Sequence, residues 1–370
     1  ATLQFDVKLA NGTKVKSRAV EIGDNLYDYS NGLEEYKEGF TRDDTMNVMS
    51  VTKSITSLLI GIAIDKGFIK NVNDFVMDYY KDVYTPKRGE KTIYDVTIKH
   101  LLTMTAPYKG KSEPWKKVCT SNDWSLTILD FLGGRSGITN EFRYHTLGTQ
   151  ILLGIIRASS GMNMLEFANE YLFKPLGIEA RVNANCTSAE DQFAYLMNKG
   201  NHGKVWFMDP TDMPTAGWGI SMSAYEMAQV GLLVLNNGVY NNVRVISEKY
   251  LNEMTQSYVS LDYKFGNQDY GYLWWLPHRS SDVIAAIGDG GNVIYVNKDR
   301  NIVVAITSLF KRNVTEKEKE KMWRLYQQNP CYTKVAKKVK RDPATVSKYV
   351  KEYEAAVRAA GVVMHAQTGG

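Results

Sequence analysis

The chain has 370 residues, 44% apolar and 23% charged, a balance that suits a globular protein with a sizeable core and excludes a disordered or collagen-like chain. No apolar run is long enough to cross a bilayer, and the opening Ala1-Thr2-Leu3-Gln4-Phe5 carries no basic-then-apolar leader. The net charge of +5 is unevenly placed: Asn313 to Gly370 holds twelve Lys/Arg and six Asp/Glu, or +6, and the remainder is −1, so any polyanion argument concerns the tail alone. Cys119, Cys186 and Cys331 are odd in number, far apart and without metal-ligand spacing, which predicts no disulfide framework, no metal and no cofactor. A soluble, cytoplasmic protein is the favoured expectation, with a removed leader left open because the chain does not begin with Met.

From Thr2 to Gly39 apolar and polar residues alternate around Asn11-Gly12 and Asn31-Gly32, which predicts short strands joined by tight turns. Then Ile55, Leu58, Leu59, Ile62 and Ala63 fall at helical spacing, and Gly67 closes the helix. Ser50 and Lys53 lie one turn apart at the start of that helix, on one face. An amine that is at least partly neutral can take the proton of an adjacent hydroxyl, and the free N–H groups of a helix N-terminus suit a developing oxyanion. Ser-x-x-Lys by itself reads more readily as a capping serine followed by a solvated lysine, and the rest of the chain is what changes that reading.

Thr97 to Met104 predicts a short helix, in which His100, beside two leucines, reads as structural. Lys109 to Gly134 is polar and aromatic, either a cleft edge whose Trp115 and Trp124 form a substrate wall or ordinary tryptophan packing. Helices follow from Ile151 to Ser159, ending at Gly161, from Met164 to Tyr171, and from Ala224 to Leu235, where Ser223 and Glu226 make a capping box. Asp269 to Leu276, Val283 to Ile287, Val293 to Val296 and Asn301 to Ser308 predict a serial antiparallel meander. Joined to the opening strands these would form one sheet, with the helices between them, an α+β pattern.

Taken together these stretches resemble the serine β-lactamase and penicillin-binding-protein superfamily, in its class C-like esterase and amidase branch, which includes the nylon-oligomer hydrolases. Ser50-Val51-Thr52-Lys53 looks like the first motif, and Tyr144-His145-Thr146 like Tyr-x-Asn. Gly288-Asp289-Gly290-Gly291-Asn292 stands in the place of Lys-Thr-Gly or His-x-Gly. The His-Leu-Leu helix, Pro175-Leu176-Gly177-Ile178 and the Gly217-Trp218-Gly219 turn are also similar to the family. The resemblance implies an antiparallel sheet flanked by helices plus a helical subdomain, over residues 1–312.

It also implies a serine hydrolase. Ser50 would be the nucleophile, Lys53 and Tyr144 would share the proton work, and the backbone N–H groups of Ser50 and Asn292 would hold the oxyanion. Thr146, Asp289, Gly290 and Gly291 would meet a small-molecule ester or amide. Two departures stand out. Thr146 replaces the Asn that contacts substrate amides, and Asp289 replaces a cation that holds the carboxylate of β-lactams. An anion there repels a carboxylate, so the expectation is an esterase or amidase and not a true β-lactamase.

The remainder, 313–370, is helical and basic. Val335, Ala336 and Val339 form an apolar stripe, Asp342 and Pro343 open another helix, and Val346, Val350 and Tyr353 form its buried side. It resembles a helix-turn-helix unit, with Trp323 and Leu325 on a supporting helix and Thr345, Ser347, Lys348 and Lys351 placed to contact DNA. The alternatives are a basic appendage or a fusion artefact. The rival to the enzyme is therefore a DNA-binding regulator that uses the hydrolase fold as a sensor.

Overall fold

A computed structural model of the protein describes residues 2–8, 14–21, 27–29, 42–186, 195, 203–308 and 316–359. Its contacts divide the chain into two compact units, Ala1–Phe310 and Lys311–Gly370.

The first unit opens with β1 (Thr2–Lys8), β2 (Lys14–Glu21) and β3 (Tyr27–Tyr29), an antiparallel meander. Asn11-Gly12 and Asn31-Gly32 lie outside the described residues. Next come β4 (Met46–Asn47) and α1 (Val51–Asp65). Every residue of α1 from Val51 to Ala63 is buried, so it is enclosed on all sides and not amphipathic as its apolar spacing suggests. Burying its hydroxyls costs little because they are bonded: Thr52 to Met49 O, Ser54 to Leu273 O and Thr56 to Ala216 O.

The helical middle holds α2 (Ile98–Leu102), α3 (Trp115–Cys119), α4 (Trp124–Leu129), α5 (Gln150–Ser160) and α6 (Met164–Ala168). His100 is structural, as its neighbours suggest: its Nδ1 accepts the Thr97 N–H and completes a capping box. Short pairs β5 (Val182–Asn183) with β6 (Val205–Trp206), and β4 with β7 (Ser221–Met222), lead to α7 (Ala224–Leu235). The Ser223–Glu226 capping box at the head of α7 forms as its spacing requires. Buried Arg181 pairs with Glu226 at 2.5 Å, so the cap also carries an ion pair.

After β8 (Val239–Tyr240), β9 (Val243–Arg244) and α8 (Glu248–Met254) comes the main sheet. It comprises β10 (Val259–Ser260), β11 (Asp269–Tyr270), β12 (Trp275–Leu276), β13 (Val283–Gly288), β14 (Asn292–Asn297) and β15 (Ile302–Ile306), in sequential order and antiparallel. Two expectations change here. Asp269 to Leu276 is a hairpin of two strands, because Leu273 takes a left-handed φ of 57° and Gly271 N–H bonds back to Trp274 O at 2.9 Å. Among the described residues, β1–β3 form a sheet of their own and do not join the six-stranded one.

The second unit contains α9 (Glu316–Gln328), α10 (Tyr332–Val339) and α11 (Pro343–Ala359). Met322, Trp323, Val335, Ala336, Val346 and Val350 form its own core. Lys340, with φ 54°, turns the chain between α10 and α11, and Asp342 caps α11 by accepting the Thr345 N–H at 2.7 Å. These contacts define a three-helix unit, and no narrower class follows from them.

Candidate active site

The position of Ser50 is set just before α1. Asn47 Oδ1 accepts the Met49 N–H at 3.0 Å and braces Met49 at a left-handed φ of 51°, from which Ser50 emerges half-buried at the N-cap. Ser50 N–H has no acceptor among the described residues, the usual fate of a first-turn donor.

One turn on, Lys53 is 1% exposed. Its Nζ lies 3.0 Å from Ser50 Oγ and 2.7 Å from Gly217 O, and 4.8 Å from the centre of the Tyr144 ring. The amine is thus fixed by a hydroxyl, a carbonyl and an aromatic face, and among the described residues no carboxylate bonds to it. Ala216, beside Gly217, is clamped from two helices: Thr56 donates to its carbonyl at 2.8 Å and Gln150 Oε1 accepts its N–H at 2.9 Å.

The second motif comes within reach through Tyr144, which stacks on Trp275 with centroids 5.9 Å apart. Lys53 meets the face of the Tyr144 ring, and no hydrogen bond joins the phenol oxygen to Ser50 or Lys53. Tyr270 beside it is buried and held protonated, by burial first and then by proximity to Tyr144. The wall of Phe142, Tyr144, Phe265, Tyr270 and Trp275 is aromatic, whereas for Trp115 and Trp124 the sequence leaves open a substrate wall or ordinary packing. Trp124 packs instead on Phe207.

His145 points into the protein. It stacks on Tyr108 at 3.7 Å and its Nδ1 accepts the Gly148 N–H at 3.0 Å. Burial, aided by Arg143 and Lys53, pushes its pKa down to about 3, so the imidazole is neutral. The 3.6 Å approach of Glu113 to this ring is therefore not an ion pair. Glu113 bonds the backbone instead, accepting the Thr146 and Leu147 N–H groups at 3.0 and 2.7 Å. Thr146 packs against Gly217: a Cβ there would lie 2.7 Å from Thr146 Cγ2 and 2.8 Å from Thr146 O.

At the third motif, Gly288 closes β13 against the turn before Ser50. A Cβ on it would collide with Val48 O and lie 3.2 Å from Ser50 N, which explains the glycine. Asn292, expected as the second oxyanion donor, is paired across the strands with Gly288, and Gly288 is the member of the pair that abuts Ser50 N. Asn292 is a buried anchor: its amide donates to Asp289 O at 2.9 Å and accepts the Ser308 N–H at 3.0 Å. Asp289, Gly290 and Gly291 stand exposed in the turn, and Ser308 Oγ bonds Gly290 O.

The sequence marks the turn at Gly217 only as family-like, without a role in this site, and does not reveal Glu113 at all. The first acts through a backbone carbonyl and the second is 33 residues from its partner, so neither leaves a local spacing to read. Among the described residues no group of His, Cys, Asp and Glu is placed to hold a metal, and no helix is long and apolar enough to cross a membrane.

A profile of the family described as Beta-lactamase matches residues 19–328. The chain belongs to that family. It is a serine hydrolase of the esterase- and amidase-like kind. The 6-aminohexanoate-dimer hydrolase of Paenarthrobacter ureafaciens is 23% identical over 296 residues, covering 74% of this chain and 69% of that one. A putative beta-lactamase from Bacteroides dorei superposes with a TM-score of 0.59 at 16% identity, over 86% of this chain and 87% of that one. A family VIII carboxylesterase superposes with a TM-score of 0.53 at 16% identity, over 73% and 79%. These structures share the α+β fold with its antiparallel sheet. Residues beyond 328 lie outside the family match.

Within the second unit, Lys348 and Lys351 are exposed. Ser347 is half-buried, as is Thr345, whose hydroxyl is engaged by the Asp342 carboxylate that its own N–H already bonds.

Proposed function

We propose that the protein hydrolyses an ester or amide through an acyl-enzyme on Ser50. The observation that carries this reading is the buried Lys53 Nζ, 3.0 Å from Ser50 Oγ and held there by Gly217 O. As Ser50 Oγ attacks the carbonyl carbon, its proton passes to Lys53 in its neutral form, and Tyr144 would share the transfer once substrate binding brings its phenol within reach. The same proton then goes to the departing alcohol or amine. The oxyanion sits at the unbonded Ser50 N–H, with the Gly288 end of β13 as its other wall, and losing one such donor costs roughly 3 kcal/mol. Water then releases the acyl group.

Asp289 at the exposed turn disfavours a carboxylate beside the scissile bond, so neutral or cationic esters and amides fit better than β-lactams. The 6-aminohexanoate-dimer hydrolase adds support for an amide. Steady-state turnover of p-nitrophenyl esters, a neutral anilide and a penicillin, with wild type and Ser50→Ala, tests this. Ester or anilide turnover that is lost in the variant is expected. Turnover of the penicillin alone would overturn the substrate assignment.

A second reading concerns the tail, where Lys334, Lys337, Lys338, Lys340, Lys348 and Lys351 are all exposed on α10, the turn and α11. That charge suits a DNA-binding regulator. Duplex DNA titrated with the full chain at two salt concentrations decides it: salt-dependent affinity weakened in Lys348→Glu/Lys351→Glu supports the reading, and equal weak binding by both chains removes it.

A further inference from the structure

The turn that carries the second motif is capped from a distance. After Tyr144 the chain enters a 3-10 turn, Leu147–Thr149, and then α5, so its first N–H groups need acceptors from outside the helix. Thr146 holds the N-cap place, yet its backbone is already helical at φ −66° and ψ −47°, and its side chain forms no cap. Glu113 supplies both missing acceptors, with Oε1 to Thr146 N–H and Oε2 to Leu147 N–H. A carboxylate there is favoured by the helix dipole and by charge-assisted bonds, and the neighbouring His145 is neutral, so it gives Glu113 no counter-charge.

We propose that Glu113 is a positioning residue for acylation: by capping the second-motif turn it holds Tyr144 and Gly217 O where they fix Lys53 against Ser50. The inference rests on the acyl-enzyme reading of Ser50. The contacts run without a break. Glu113 fixes the backbone of Thr146 and Leu147. Thr146 Cγ2 and O occupy the space a Gly217 side chain would need, so the turn and Gly217 are in contact. Gly217 O holds Lys53 Nζ at 2.7 Å, and Nζ lies 3.0 Å from Ser50 Oγ. A turn that drifts therefore relaxes the support of the lysine. The remote cap has a second consequence: Thr146, freed from capping its own helix, can turn its methyl against Gly217.

Glu113→Gln keeps the shape but sets an amide NH2 against one of the two backbone donors, and Glu113→Ala removes both acceptors. In the full chain, the readouts are the rate of Ser50 labelling by a fluorophosphonate, and kcat and KM for an ester turned over by the wild type. We expect Glu113→Gln to label about tenfold slower, Glu113→Ala about a hundredfold slower, and kcat to fall while KM stays within about twofold. The thermal midpoint of Glu113→Gln should stay within a few degrees of wild type, because one acceptor survives. Should Glu113→Ala fail to fold, Glu113→Gln decides alone. Labelling of Glu113→Gln at the wild-type rate overturns the inference, as does a raised KM with unchanged kcat, which marks a substrate contact. A wild type that takes no label overturns the acyl-enzyme reading, and this inference with it. A labelled wild type with an equally fast Gln variant overturns this inference only.

Discussion

At the α1 end of the site Lys53 is 1% exposed and bonded to Ser50 Oγ and Gly217 O, whereas at the β13–β14 end Asp289, Gly290 and Gly291 stand in solvent. The first end is fixed by many contacts. Thr56 and Gln150 clamp Ala216, Glu113 caps the second-motif turn, and Asn47 braces the bend before Ser50. The second end is tied down by Asn292 and Ser308 from behind. In the proposed mechanism the group that takes the proton is thereby held in a buried, preorganised setting. The groups proposed to meet the substrate lie on an exposed turn where a residue change disturbs little else. The two departures from the family pattern fall one at each end: Thr146 packs against Gly217 at the buried end, and Asp289 stands in the exposed turn.

The largest effect is expected from disturbing the buried end at Gly217. In Gly217→Ala the new Cβ lies under 3 Å from Thr146 Cγ2, Thr146 O and Thr149 Oγ1, so backbone must shift and carry the lysine's acceptor with it. Acylation should fall by about a hundredfold and stability by about 1–3 kcal/mol, read by labelling rate and urea melts. Unchanged labelling would show that the carbonyl is not what holds Lys53 in register.

His145 sharpens the same end through pH. Its pKa is about 3 in the fold and about 6.5 in the unfolded chain, so below pH 6.5 the unfolded state binds the extra proton. This contribution is intact above about pH 6.5 and is lost as pH falls toward 3, at up to about 1.4 kcal/mol per unit. Urea midpoints at pH 7 and pH 4.5, with the imidazole followed by NMR, check the sign. A ring that titrates near 6.5 in the folded protein would contradict its burial.

The smallest effect belongs to the exposed end. Asp289→Asn should leave stability within about 0.5 kcal/mol. It should shift kcat/KM between cationic and anionic esters by only about two- to fivefold, as befits a solvent-screened charge. A larger loss affecting all substrates alike would move Asp289 from selection into the chemistry.

Much of the buried end is legible in the sequence, because Ser50 and Lys53 share one helix turn and their spacing survives any packing. The Ser223–Glu226 cap and the β13–β15 meander are legible for the same reason, being local patterns. Glu113 is not, since a carboxylate reaching backbone 33 residues away leaves no period. Gly217 escapes because its working atom is a carbonyl common to every residue type. Asp269 to Leu276 reads as one strand because it is a run of aromatic and aliphatic residues, and the left-handed Leu273 that folds it into a hairpin is itself neither Gly nor Asn. Asn292 has the right place in the motif order, but strand pairing sets it opposite Gly288, and that choice depends on register.

The most direct test of the account is intact-mass spectrometry of the full chain after incubation with a fluorophosphonate, beside Ser50→Ala. A single adduct on wild type, absent from the variant, is the predicted result. No adduct on a folded wild type, or an adduct that persists in Ser50→Ala, would contradict an activated Ser50 and with it the hydrolytic mechanism.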